Sequence, residues 1–405
     1  MSIPKGSRAV AFNAALYAMA RRTRTMSNLL TGKAAKKNIN GLNTMQTDAD
    51  HPIVMIDDLN TMPGNEVMYD VIHPIYGPPT MGDRRLEGRG SRIAMDSESI
   101  KINQGRKMIE DGGAMFSKLT KYNMVEVART LIRNWYQELD EQTTLYHLMG
   151  MRGSFTSNTD VVPLNSHREF AEILINEILA PSYDRHIIAG GNKTLDLVDA
   201  SDKYSLEILD NIDLILAETA RPMRPIILPD AEKAGHDPFY VKLITPRQWY
   251  DLEQSATTKD YQKMVAEATV RKQGFSHPLF NGKCLMKNNI LVKVMSRPVG
   301  LTAGSTVAVS KNDKDATTEN VQVNTEIHRS ILLGGQALAI ASGRHKNVKS
   351  TFKITEKDVD HDNSKEISLA YVHGKQAIRL KDQDGFQYDV GRMVVDTAVS
   401  PGMNR

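Results

Sequence analysis

The residues best suited to chemistry are few and scattered. Gly334-Gly335-Gln336 matches the tripeptide that peptidyl-tRNA hydrolysing release factors carry on an exposed, basic-flanked loop. Here it lies between Ile331-Leu332-Leu333 and Ala337-Leu338-Ala339-Ile340, so its setting predicts a packed helix with close backbone approach. Asp358-Val359-Asp360-His361-Asp362-Asn363 starts like a calcium loop. Asn363 then replaces the glycine, and Leu369 stands where a bidentate Glu belongs, which leaves a solvated acidic turn. Gly190-Gly191-Asn192-Lys193-Thr194 departs from a phosphate loop at Asn192, and Cys284 beside Lys283 reads as a small packed residue. The eleven histidines are dispersed, and no nucleophile, base and oxyanion site assembles. The sequence therefore points to no catalytic residue, no metal and no cofactor.

The elements around these residues are easier to read. Glu66–Ile72 alternates, with Val67, Tyr69 and Val71 on one face, and Ile93–Ile102 supplies a return strand. The connection between them, Pro74 to Gly90, is long and rich in Gly and Pro, which in a compact domain marks function or disorder. A helix follows, capped by Asn123 with Glu126 three residues on and stopped at Gly150. Val125, Ala128, Ile132, Trp135, Leu139, Tyr146 and Met149 fall on one stripe of a rod roughly 40 Å long. Further helices are expected from Ser166 to before Pro181, from Ser205 to Ala220, from Pro246, over Lys259–Lys272 and near Ser330–Ser342. Strands are expected over Arg221–Pro229, Phe239–Ile244, Ile290–Met295 and Thr306–Val309, and near Thr351, Glu366, Gln376 and Met393. Without a steady βαβ rhythm the mixture predicts an α+β fold.

Composition limits what such a fold can be. The chain has 405 residues, 40% hydrophobic and 24% charged, enough for two or three domains with a sizeable core. Its apolar runs fall short of the ~20 residues of a membrane span. A single cysteine, Cys284, allows no intrachain disulfide and no thiolate metal cluster, which fits a reducing compartment. Net charge is +3, but Lys5, Arg8, Arg21, Arg22, Arg24, Lys33, Lys36 and Lys37 put +8 and no acid in the first 47 residues, leaving −5 for the rest. Three readings of that start compete: a targeting segment, a solvated tail, or an arm lying against an acidic or phosphate-bearing partner.

Several separated blocks carry a resemblance. Gly64, Val67, Pro74-Ile75-Tyr76-Gly77, Met81-Gly82-Asp83 and Leu86-Glu87-Gly88 occur in the hairpin. Ile102-Asn103-Gln104-Gly105-Arg106, Leu131 and Trp135 follow, then Tyr240 to Pro246 with Leu252, and Pro278 to Gly282 with Asn289-Ile290. Leu332 to Ala337 with Gly343, Gly374-Lys375, Gly391 and Val395-Asp396-Thr397 complete the order. The sequence resembles the major capsid proteins of N-four-like tailed bacteriophages over residues 60 to 398.

The resemblance implies the Hong Kong 97-type capsid fold. Its parts would be an N-terminal arm (1–60), an extended loop (61–118), a peripheral domain (119–204) with a spine helix (123–149), an axial domain (205–345), and return strands of the peripheral domain (346–405). It also implies a structural role without catalysis: self-assembly into hexamers and pentamers of an icosahedral head around double-stranded DNA, built in the bacterial cytoplasm. Scaffolding, portal and decoration proteins would be partners, and no membrane. Met81, Gly82, Asp83, Arg84, Arg85, Leu86, Glu87, Gly88 and Arg89 become inter-subunit contacts, and the eight cations of the arm contact DNA or a neighbour. An encapsulin-like compartment of the same fold is the alternative, and a hydrolase using Gln336 a remote one. The short region before the loop leaves no room for a fused scaffold of ~100 residues, so a separate scaffold is expected. Some relatives join an extended-loop Lys to an Asn of another subunit, but no lysine lies between Lys37 and Lys101. The shell is therefore expected to be non-covalent, and denaturing gels of particles should show the monomer band alone, ladders above it being the contrary result.

Overall fold

The computed structural model describes residues 30–31, 51–56, 65–72, 79–90, 95–113, 124–219, 221–227, 239–274, 283–312, 314, 317–343, 351–381 and 385–401. Two sheets share one long helix. The first sheet holds β1 (Ile53–Ile56), β4 (Asn103–Glu110), β13 (Leu338–Ser342), β14 (Phe352–Val359) and β15 (Ser364–Ala377). β15 is its axis, antiparallel to β13, β14 and β4, and β1 pairs in parallel with β13. The second sheet runs β5 (His186–Ile188), β18 (Arg392–Ala398), β12 (Ile327–Leu333), β6 (Tyr240–Ile244), β8 (Ile290–Val294) and β7 (Cys284–Lys287), with β9 (Gly300–Leu301) also on β12. Three hairpins project from this body: β2 (Glu66–Ile72) with β3 (Met95–Lys101), β10 (Thr306–Ser310) with β11 (Thr318–Gln322), and β16 (Arg379–Lys381) with β17 (Gln387–Asp389).

The long helix, α1 (Met124–Met149), forms where its periodicity requires. Ala128, Ile132, Leu139, Tyr146 and Met149 are buried, and Val125 and Trp135 pack against the same core. Tyr136 meets Phe352 edge-on at 4.8 Å, which joins the helix to β14. Gly150 ends it at φ +66°, where a Cβ would approach Leu179 O to 2.7 Å. The helices α3 (Leu206–Glu218), α4 (Pro246–Ser255) and α5 (Thr258–Gly274) stand close to their expected places. Thr245 caps α4 in a full capping box with Gln248, and Pro246 opens its first turn.

Three expectations are corrected. The helix from Ser166 shrinks to one turn, α2 (Phe170–Ile173), and Ser166 does not cap it. Asn176 explains this, because its side chain accepts from Lys101 N and donates to Lys101 O, which holds the segment extended against the hairpin base. The helix near Ser330–Ser342 is instead the end of β12, a turn, and β13. Every residue of both strands is buried, so their apolar runs lack the alternation that marks a half-exposed strand. Within Arg221–Pro229 the described residues 221–227 form only a bridge, Ile226 to Phe239.

The C-terminal strands also divide between the sheets. Glu366 and Gln376 lie on one 14-residue strand of the first sheet, whereas Arg392–Ala398 crosses to the second. Likewise β4, within 61–118, is a strand of the first sheet, so the hairpin is rooted in the body. Gly105 faces Tyr371 in this pairing, where a Cβ would fall on the ring. Gly374 meets backbone instead of a side chain, its absent Cβ lying 2.0 Å from Lys101 O. Gly374→Ala should therefore destabilise the fold by about 3 kcal/mol, the upper range for overpacking, read as a lower urea midpoint at unchanged slope; an unchanged midpoint would contradict the close approach.

Candidate assembly interface

The residues from Met81 to Gly90 are all exposed. Met81 and Leu86 leave 70% and 71% of their surfaces in water, which with Met68 makes them the most exposed large apolar side chains among the described residues. Gly82 and Gly88 take positive φ, and no atom lies within 4 Å of where their Cβ would sit. Within the tip Arg89 N donates to Leu86 O at 3.1 Å. Among the described residues, Asp83, Arg84, Arg85, Glu87 and Arg89 form no ion pair. The structure thus brings the nine predicted loop residues together at a tip held off its own chain. The predicted cations of the arm, Lys5 to Lys37, lie outside the described residues. Between Arg24 and Lys33, Leu30 is buried in the main core and Thr31 bridges Ile53, and further on β1 is stitched to β13.

An exposed tip needs a firm base, and buried cations supply it. Arg329 on β12 grips Asp396 on β18 through two bonds of 2.7 and 2.6 Å, and also donates to Met149 O at 3.1 Å. His186 Nε2 shares Asp396 at 2.7 Å. Arg392 donates to His147 O at 2.7 Å and Leu148 O at 3.3 Å, while Asp389 bridges it to Arg379. Lys375 on β15 donates to Asp140 O and Oδ1 at 2.7 Å and to the hydroxyls of Thr143 and Thr144 at 2.8 Å. Cations thus meet the C-terminal half of α1, where the last carbonyls concentrate negative charge.

Burial alone would raise the carboxyls of Asp396 and Asp389. For Asp396 the adjoining Arg329 and His186 outweigh it, and for Asp389 Arg392 and Arg379, so both sit below the usual carboxylate range. Their contribution is fully present above the ordinary carboxyl pKa, about 3.9, and is lost only as pH falls through the lower native value.

The chemical candidates of the sequence resolve as structure. Gly334-Gly335-Gln336 is a crossing between the two sheets, with Gly334 N bonded to Gly391 O, Gly335 N to Arg224 O and Gln336 N to His51 O. Gln336 takes φ +59° and is half-buried. Asp358 and Val359 end β14, and Asp360 to Asn363 is the turn into β15, closed by Asn363 on Asp360. Among the described residues no three His, Cys, Asp or Glu side chains group to hold a metal. Cys284 is half-buried and packs against the main core.

A family profile described as phage capsid protein matches residues 5–401. The chain belongs to the phage capsid protein family. Members are structural proteins and not enzymes, so this capsid protein is a component of the virion. Solved capsids share the fold. The capsid of Ralstonia phage GP4 is 19% identical with a TM-score of 0.70, over 92% of this chain and 96% of that one. The capsid of cyanophage Pam1 is 12% identical at 0.59, again over 92% and 96%. The head of Helicobacter pylori bacteriophage KHP40 is 11% identical at 0.56, over 91% and 94%. The fold is the Hong Kong 97-type capsid fold. No curated protein matches the sequence.

The buried ion pairs were missed by sequence reasoning. Their one signal is a charge inside an apolar strand, Arg329 in Ile327–Leu333 and Asp396 in Arg392–Ala398. Removing one partner should be costly: Arg329→Met alone is expected to lose about 3–5 kcal/mol, because Asp396 is left buried without its arginine. Arg329→Met with Asp396→Leu should recover much of that loss in urea denaturation, and equal losses in the single and double variants would refute the pairing.

Proposed function

We propose that this major capsid protein builds its icosahedral head from hexamers and pentamers enclosing double-stranded DNA, in the N-four-like manner. The first sheet with α1 is the peripheral domain, and the second sheet with α3, α4 and α5 is the axial domain at capsomer centres. The bulk of residues 346–405 returns to the peripheral domain, and β18 ties the two together. Scaffolding, portal and decoration proteins are its partners during assembly in the bacterial cytoplasm. The arm places its cations toward DNA or an acidic neighbour.

One observation carries the reading of the loop. A tip with two large apolar side chains and five charges, none of them paired within the described chain, is suited to lap onto another subunit. Each contact there is worth little, about 1 kcal/mol or less for an exposed ion pair. Repetition around a closed shell makes many such contacts act together.

Met81→Asp with Leu86→Asp tests this directly. The tip supports nothing in its own subunit, so thermal unfolding of the unassembled chain should stay within about 1–2 °C of the parent. Assembly into particles, followed by electron microscopy and velocity sedimentation, should be lost. Normal particles from the doubly substituted chain, under conditions in which the parent chain assembles with its scaffold, would overturn the lapping role.

A further inference from the structure

Two histidines stand beside the anchoring bonds without using their rings in them. His147 near the end of α1 has no hydrogen-bond partner at Nδ1, and His373 on β15 has none at either ring nitrogen. Between them lies a cavity of about 20 Å³, bounded by Thr143, Asn176, Gly374 and Lys375. That is room for one water. The His373 ring is framed by aromatics, with Tyr371 edge-on at 4.8 Å and Tyr136 at 6.1 Å.

The charges facing this pair come from three elements. From α1 there is Asp140, already engaged by Lys375. From β15 comes Lys375 itself, and from β18 Arg392, which donates to His147 O and is paired with Asp389 of β17. The segment Ile173–Asn176 across the cavity brings no ionisable group. A proton on either imidazole would thus add a cation beside Lys375 and Arg392, with the nearby carboxylates already taken.

We propose that His147 and His373 form an acid-sensitive latch between α1 and β15, closed while both imidazoles are neutral and opened when either ring is protonated. Separating the last turns of α1 from β15 is the relief available to the new charge. It admits water and breaks the bonds from Lys375 to Asp140, Thr143 and Thr144. Burial foremost, and Lys375 next, holds His147 down to about 3, and the same two causes hold His373 at about 3. In water a histidine titrates near 6.5. The opened form therefore takes up protons that the closed form refuses. The advantage of the closed form is complete above about pH 6.5 and falls about tenfold per pH unit for each ring as pH drops toward 3.

The latch is internal to one subunit and does not depend on assembly, so the full-length chain can test it. His373→Phe keeps a ring against Tyr371 and removes two nitrogens that bond nothing, so the variant should fold as well as the parent at pH 7. Hydrogen exchange, corrected for intrinsic rates, should show amides of residues 140–149 losing protection between pH 6.5 and 4.5 in the wild type. In His373→Phe that loss should be about tenfold smaller per pH unit, and adding His147→Gln should flatten it further. Identical pH slopes in wild type and variants would overturn the proposal. Ring titration of the histidine-labelled wild-type chain decides the matter even if the variants fail to fold: values below about 4.5 for these two rings support the latch, and values near 6.5 sink it.

Discussion

The body of this capsid protein depends on how the C-terminal half of α1 is held. A helix ends with carbonyls that find no partner within it, and burying those carbonyls is costly unless donors meet them. Here Arg329 and Arg392 reach the last three carbonyls from the second sheet, and Lys375 reaches Asp140 one turn and more earlier from the first. Each cation also faces a carboxylate, so neither the charge nor the helix end is left unsatisfied. The same few bonds fix both sheets to one rod. Without them the sheets would be joined chiefly by chain crossings and apolar contact, which leave relative orientation less constrained than directed bonds do.

Those crossings impose a second constraint. The chain passes from β12 to β13 at Gly334-Gly335-Gln336 and changes sheet there, pressed against the backbone of Arg224, Gly391 and His51. A Cβ at Gly334 would sit 2.2 Å from Arg224 O, and one at Gly391 2.1 Å from Gly335 O, so glycine is what lets three backbones converge. The tripeptide that looked most like chemistry is thus a packing device. Its conversion from a predicted helix into a strand crossing has one physical cause, burial on both faces.

The legible parts of the fold were those whose order is local. The spine helix has a stripe at helical spacing, the Thr245 cap has its Gln248 three residues on, and β2 alternates between polar and apolar. The exposed loop tip was legible for the same reason, as a long run of Gly, Pro and charge with no periodic face. What was not legible is non-local. Asp396 is 67 residues from Arg329, and Asp140 is 235 from Lys375. Nothing in a strand's own pattern says whether a lone charge points at water or at a partner far along the chain. Asn176 misled in the same way, since its bonds to Lys101 across 75 residues outweigh the local capping signal at Ser166.

Buried pairing also changes what the net charge means. Arg152, Arg185, Lys242, Arg329, Lys375, Arg379 and Arg392 are buried among the described residues, against the buried acids Asp251, Asp389 and Asp396. That is an interior surplus of four cations, several of them turned to helix and loop carbonyls. Residues 48–405 carry −5 in total, being +3 for the chain less +8 for its first 47 residues. Setting aside the +4 locked inside takes the remaining groups from −5 to −9. The body therefore offers a polyanion little to bind, and it repels other bodies of its kind at long range. Attraction between copies must then come from short-range packing rather than from net charge.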